Sequence, residues 1–554
     1  MKGAELSPKS VEVRKHTGAV LQLKDGTRLV SDIYALVGAK PAPALLMRQP
    51  YGRAIASTVV YAQPEFFVRE GFVVVIQDVR GRGDSEGYFN AFQDEAEDGI
   101  ETVNWVASLK ECDGRVCMYG FSYQGYTQLA LLKNRPEALV AIAPHMSAAN
   151  LYDGWFYKDG ILRLSTTLSW GNQMLREDAW RQKNTKLALA LEASWRAPSS
   201  LTSQLPVADA QPLCHAEAPG YLSKWLAHEQ YDDYWQRLDT SECLEKTDIP
   251  IFHLAGYYDY YLDGSLSAYQ FRKHCETDFF LLSPWKHIPW ERWIAGHDLG
   301  PEARLDTDQL LANWFKTQLG LPTQSPVRPG VRYFTLGSNQ WQTCDSWPPA
   351  SERLTLFLSS KGRANSSAGD GKLMEGLSDD LEDTFVSDPQ VPVLAPGGMV
   401  PVWGPVDLRE QQQGNNMLLY TGEVFSEKTT ISGQPSAEIY VSTDVPSLDL
   451  FARLSWVRQD GSALFISLAA AEISFDGTGP VRVALNFGAC SLELKAGESL
   501  RLDLAGQAFP LFARNPQDGT SRLRKHYPCD FKIARVHIHH DPEWPSSLIL
   551  PKVS

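Results

Sequence analysis

The chain is 554 residues long, more than one compact domain holds at roughly 100 to 200 residues each, so length alone suggests about three domains. With 43% apolar and 21% charged residues it has the composition of a globular protein with a large core, which excludes a disordered or fibrous chain. The net charge of −14 is spread without a basic block and excludes nucleic acid and anionic membrane as natural partners.

Between residues 20 and 145, "ALLMRQP" (44–50), "FVVVIQD" (72–78), "RVCMYGF" (115–121) and "LVAIAPH" (139–145) read as buried strands, with helices after residues 56, 94 and 123. Near-continuous apolar strands alternating with helices predict a parallel sheet covered on both faces, the first part of an α/β core over residues 1–145. Residues 146–240 contain no convincing strand and read as a helical cap insertion. In "YLSKWLAHEQYDDYWQRL", Tyr221, Leu222, Trp225, Leu226, Tyr234, Trp235 and Leu238 fall at helical spacings. The strand pattern resumes at "IPIFHLAGYYD" (249–259) and "DFFLLSPWKH" (278–287), and "TDQLLANWFKTQL" (307–319) reads as a helix, so residues 241–350 form the second part of the core. From 351 to 554, alternating runs such as "RLTLFLSS", "SAEIYVST" and "LDLFARLSWV" between Gly, Pro, Asn and Asp turns predict an all-β domain of sandwich or jelly-roll type.

The start "MKGAELSPKSVEV" has no apolar h-region and no later run approaches roughly 18 apolar residues, so the expectation is a cytoplasmic chain without a membrane span. The eight cysteines show no Cys-x-x-Cys spacing and read as free thiols, Cys275 among them. "RVHIHHD", with His537, His539 and His540, alternates along a strand without companion ligands, so no metal site is read there.

Two serines compete as nucleophile. A catalytic elbow needs a strand that ends in a tight turn and runs directly into a helix, which exposes the hydroxyl and offers amide donors to an oxyanion. Ser122 in "RVCMYGFSYQGYTQLALL" has that setting, with Gly120 and the displaced Gly125 allowing close packing. Ser85 in "DVRGRGDSEGYFN" lies in a glycine-rich loop with no helix behind it, so it reads as a structural turn residue. Serine needs a base and the base an orienting acid, in α/β hydrolases following in the order Ser, Asp or Glu, His. "YYDYYLDG" offers Asp259 and, less directly, Asp263, and the next strand ends at His287. Among the rivals, His253 lies within a strand, His145 precedes the acid, His274 falls in a helix and His297 is farther from the strand end. The backbone N–H of Tyr123 supplies one oxyanion donor. No His-Gly-Gly loop follows the strand at 44–49, but the hydroxyl of Tyr51 in "RQPYGR" can serve as the second.

Together "PYGR", "DVRGRGDSEG", "GFSYQG", "GYYD", "PWKH" and "FPLFARNP" resemble the cocaine esterase and X-prolyl dipeptidyl peptidase family of serine hydrolases, in order along nearly the whole chain. The resemblance implies an α/β-hydrolase core, an inserted helical cap and a C-terminal jelly roll. It also implies Ser122, Asp259 and His287 as triad, Tyr51 and the Tyr123 amide as oxyanion hole, and no cofactor. Relatives that act on α-amino acid esters carry carboxylates just after the triad Asp; here Tyr260, Tyr261 and Leu262 stand there, which leaves Asp153 and Asp263 as the carboxylates for an ammonium group. Sixteen Trp and 21 Tyr exceed what a core needs, and Trp155, Trp170, Tyr261 and Trp285 are the candidates for an aromatic substrate pocket. The reading is thus a carboxylic ester hydrolase acting on a small molecule. The alternatives are an X-prolyl dipeptidyl peptidase or acylase, an acyltransferase, and a non-catalytic binding protein on the same scaffold; a homo-oligomer stays open.

Overall fold

Six strands assemble from the first quarter of the chain: β1 (Val13–Gln22), β2 (Arg28–Leu36), β3 (Ala42–Gln49), β4 (Val73–Asp78), β5 (Cys112–Phe121) and β6 (Leu139–His145), in the order β1-β2-β4-β3-β5-β6. They belong to a computed structural model that describes residues 12–553 apart from 216–217, 273–275, 378–381, 400 and 478, so His274 and Cys275 lie outside the described residues. β3 to β6 pair in parallel and are almost wholly buried, which is why they read as unbroken apolar runs. The expectation of a parallel sheet needs correction: β1 and β2 form an antiparallel hairpin on its edge. β1 leaves much of its length exposed, so its sequence is too polar to register as a buried strand.

Helices α1 (Pro64–Arg69), α2 (Glu95–Ala107) and α3 (Tyr123–Leu129) join these strands. The helix expected directly after residue 56 is only a single 3-10 turn, and α1 begins eight residues later at Pro64, whose fixed φ suits the first helical position.

Between β6 and the next long strand lie α4 (Leu164–Arg181), α5 (Thr185–Arg196), α6 (Ser199–Thr202), α7 (Tyr221–Ala227), α8 (Asp233–Gln236) and α9 (Ser241–Lys246), with a two-residue hairpin of β7 (Tyr157–Lys158) and β8 (Ile161–Leu162). The continuous helical pattern over 221–238 is in fact two helices. The chain leaves α7 at His228, and the Asp232 carboxylate restarts the helix by accepting the Tyr234 N–H at 3.0 Å. Much of the Trp and Tyr surplus is the core of this cap: Trp225 and Trp235 are fully buried, and Trp170 stacks on Trp225 at 5.2 Å.

The core then resumes with β9 (Phe252–Tyr258), α10 (Leu262–Gln270), β10 (Phe279–Lys286), the small hairpin β11 (Trp293–Ile294) and β12 (His297–Asp298), α11 (Thr307–Gln318), β13 (Gly330–Thr335) and β14 (Gln340–Cys344). β9 lies beside β6, with the Met146 N–H donating to the Leu254 carbonyl at 2.8 Å, so the order β14-β13-β10-β9 continues the first sheet.

Burial at the start of α11, with Asp306 nearby, pushes the Asp308 carboxyl up to about 6. Between the ordinary value of 3.8 and about 6 the unfolded chain gives up a proton that the folded chain keeps, so this group lowers stability as pH rises through that window. Asp308→Asn keeps an acceptor for the Ala62 N–H, which Asp308 accepts at 2.9 Å. Urea unfolding should show the variant more stable by about 1–2 kcal/mol at neutral pH and little changed at the acid end of the window.

Residues beyond 350 form a network of thirteen strands, from Glu352–Ser359 to Ser547–Val553, with antiparallel pairing except between Lys372–Met374 and Met417–Gly422. Among the described residues this part contains no α-helix. It is stitched to the core, the Leu336 N–H donating to the Ser491 carbonyl at 2.9 Å, and to the cap, the Ala513 N–H donating to the Leu162 carbonyl at 3.0 Å. No helix among the described residues is long and apolar enough to cross a membrane.

Candidate active site

β5 ends at Phe121 and α3 begins at Tyr123, so Ser122 occupies the turn alone, at φ 61° and ψ −127°. A non-glycine residue rarely holds that conformation, and about 1–3 kcal/mol of strain is stored there. Its surroundings enforce it. The Ser122 N–H donates to the His145 carbonyl at 2.9 Å, tying the turn to the end of β6. The Tyr123 hydroxyl donates to Glu95 Oε1 at 2.8 Å and accepts the Phe92 N–H at 2.8 Å, anchoring the first turn of α3, while the Tyr123 N–H has no acceptor within the helix.

Gly125 explains the displaced glycine of the motif. A Cβ there would lie 2.6 Å from Ser147 Cβ and 3.2 Å from the His145 carbonyl oxygen, so only glycine lets α3 rest on the end of β6. Gly125→Ala should therefore shift the elbow and lower kcat/KM by about 10- to 100-fold, with a lowered Tm, measured by ester turnover and thermal unfolding.

His287 follows β10, and its Nδ1 lies 2.8 Å from Asp259 Oδ1, where Asp259 follows β9 in a buried position. Parallel pairing of β9 and β10 brings these two strand ends side by side. Tyr51 lies after β3. Burial, opposed by hydrogen bonds from Trp170 and Ser122, pushes its phenol up to about 12. The Trp170 Nε1–H donates to the Tyr51 oxygen at 3.2 Å, which leaves the phenolic proton free for another acceptor. The Tyr51 loop is held by Arg53, whose backbone N–H donates to Asp78 Oδ1 at 2.6 Å and whose guanidinium also grips Asp32 and Asp84.

That anchoring accounts for the glycine-rich loop as well. A Cβ on Gly83 would lie 2.1 Å from Asp78 Oδ2, so the loop must pass bare backbone across the carboxylate. Ser85 is buried, its hydroxyl donating to the Asp78 carbonyl at 2.7 Å and accepting the Val30 N–H at 2.9 Å, which is a turn residue's role. His145, buried against the Tyr61 hydroxyl at 2.9 Å, has its imidazole pushed down to about 3 by burial. His253 lies 3.4 Å from Asp278, away from the elbow.

Ser122, His287 and Tyr51 open into one cavity of about 550 Å³. Of the four aromatic candidates, Trp170 and Tyr261 line it. Trp155 and Trp285 do not. Trp155 sits behind the wall, stacked on Tyr261 at 4.2 Å, and Trp285, itself part of β10, is wholly buried, donating from Nε1 to the Ala303 carbonyl at 2.8 Å. Nor does either ammonium candidate reach the cavity. Asp263 accepts from Lys158 Nζ and from Arg163 Nη2, each at 2.8 Å, while Asp153 is exposed and accepts the Asp159 N–H at 3.0 Å.

Several lining residues carry no signal of their own in the sequence. Ser165, Ser169 and Gln173 come from one face of α4, and Ser199 and Thr202 from α6. Met399, Pro401 and Pro510 reach in from the β domain, where Trp403 also packs edge-on against Tyr260 at 5.1 Å. Only Pro510 belonged to a recognised motif.

Comparison with known proteins extends the geometry. Residues 25–289 match the family model of the X-Pro dipeptidyl-peptidase (S15 family), and residues 327–549 match that of the X-Pro dipeptidyl-peptidase C-terminal non-catalytic domain. The chain is 29% identical over 564 residues to cocaine esterase of Rhodococcus sp. (strain MB1 Bresler), covering 97% of this chain and 98% of that one. The structure of an aminopeptidase from a marine sediment archaeon, Thaumarchaeota archaeon, superposes with a TM-score of 0.80 at 20% identity over 100% of this chain and 99% of the other. That of an α-amino acid ester hydrolase gives 0.79 at 20% identity, over 100% and 98%. These two share the fold, an α/β hydrolase followed by an all-β domain. With both domain models matched in order and cocaine esterase aligned end to end, the chain belongs to the cocaine esterase and X-Pro dipeptidyl-peptidase (S15) family of α/β hydrolases and is a serine hydrolase.

Proposed function

We propose that the chain is a carboxylic ester hydrolase that works through an acyl-enzyme. The observation that carries this reading is the cavity in which Ser122, His287 and Tyr51 meet, lined by no carboxylate among the described residues that could grip a free amine. In this scheme His287 takes the Ser122 proton as the hydroxyl attacks the ester carbonyl, and Asp259 holds the imidazole in the tautomer with its proton on Nδ1. The tetrahedral oxyanion is met by the Tyr123 N–H and the Tyr51 hydroxyl, which burial keeps protonated at neutral pH. His287 then gives its proton to the leaving alcohol, the acyl-enzyme forms, and water activated by the same imidazole releases the acid. Residues 1–145 and 241–350 act as the catalytic core, 146–240 as the cap and 351–554 as a jelly roll that walls the pocket. The seven described cysteines are free thiols, in keeping with a cytoplasmic enzyme.

The reading is tested by comparing p-nitrophenyl butyrate with glycyl-prolyl p-nitroanilide, together with fluorophosphonate labelling. Ester turnover well above anilide turnover, and label on Ser122, are expected. Preferred cleavage of the anilide would make the protein a peptidase, and failure to label Ser122 would remove the nucleophile.

A further inference from the structure

The wall that α4 gives the cavity has a chemistry of its own. Ser165, Ser169 and Gln173 follow one another on α4 at four-residue intervals, so they share a helix face at steps of about 6 Å and span about 12 Å. All three are half-buried. Among the described residues neither serine hydroxyl nor the Gln173 amide has a hydrogen-bond partner, whereas the adjacent Thr166 hydroxyl is used up on the Arg163 carbonyl at 3.2 Å. Trp170, one residue on from Ser169, reaches the Tyr51 oxygen, so this row runs past the place where a substrate carbonyl oxygen would sit.

The same cavity is lined by no Asp, Glu, Lys or Arg among the described residues. An ammonium or carboxylate group entering it would lose hydration without meeting an opposite charge, which is costly. A hydroxyl group would exchange water for one of three free neutral partners, each able to donate and accept.

The geometry points to a neutral, hydroxylated ester as the substrate, its hydroxyl groups held by the row Ser165, Ser169 and Gln173 while Tyr260 and Tyr261 cover its apolar face. This rests on the ester-hydrolase reading of Ser122. It separates this pocket from one that selects by charge.

The test uses three methyl esters that differ at one carbon: methyl phenylacetate, methyl mandelate and phenylglycine methyl ester, the last assayed at a pH below the amine's own pKa. The expected order of kcat/KM is mandelate over phenylacetate by about three- to tenfold, and phenylacetate over the ammonium ester by about tenfold or more. The combined variant Ser169→Ala and Gln173→Leu should bring the mandelate-to-phenylacetate ratio close to one, with thermal unfolding as the check on folding. Ser169→Asp should raise the rate on the ammonium ester relative to mandelate. A wild-type preference for the ammonium ester, or a mandelate ratio that the double variant leaves intact, overturns the inference while leaving the esterase reading standing. Turnover of none of the three, together with an inert p-nitrophenyl butyrate, would instead strike at the esterase reading.

Discussion

Ser122→Ala is expected to lower kcat on p-nitrophenyl butyrate by about 10⁴-fold or more while the protein stays folded. Alanine fills the space of the serine side chain without its hydroxyl, and it inherits the same φ of 61°, so the backbone gains no new conflict. Residual turnover would come from the oxyanion donors and binding alone. Ser122→Gly should be equally inactive yet more stable than wild type by about 1 kcal/mol, because glycine occupies positive φ without penalty. Measured as kcat beside Tm, the pair separates the nucleophile from the scaffold. An alanine variant retaining even a tenth of the wild-type rate would remove Ser122 from the mechanism.

The second large effect is expected at Tyr51. Tyr51→Phe deletes one oxygen from a packed site and should lower kcat by about 10²- to 10³-fold, with KM changed far less, since the phenol acts on charge that appears only in the transition state. The phenyl ring keeps its place, and Trp170 loses the acceptor of a 3.2 Å hydrogen bond. Because burial carries the Tyr51 phenol up to about 12, the wild-type rate should show no loss through ionisation of this group between neutral pH and about 10. A Tyr51→Phe rate within about fivefold of wild type would leave the Tyr123 amide as the oxyanion donor and require another partner for it.

Much of the core was legible because its strands are buried on both faces. β4, β5 and β6 carry unbroken buried runs at 73–76, 116–121 and 141–144, and their ends are where Asp78, Ser122 and His145 stand. The β1–β2 hairpin was missed for the opposite reason, its first strand being largely solvent-facing. The candidate residues of the site were readable from order and context: a serine between a strand and a helix, then an acid and a histidine each just past a strand. The pocket was not. Its walls come from residues 165–173, 199–202, 399–401 and 510, far apart in the chain and joined only by tertiary packing. Aromatic content indicated that a ring-lined pocket was present, yet it could not say that Trp285 turns inward from β10 into the core or that Trp155 stands one layer behind Tyr261.

The contribution of Met399, Pro401 and Pro510 to the cavity sets an order in time. A chain leaving the ribosome folds from its N-terminus as successive domains emerge. Every residue proposed to act in bond cleavage precedes residue 288, so all of them are made before the β-domain loops that line the pocket. The cavity that holds Ser122 is complete only once the polypeptide has been made as far as Pro510. On the ester-hydrolase reading, the walls that the β domain contributes to the pocket are therefore the last part of it to be made, after every group that would break the bond.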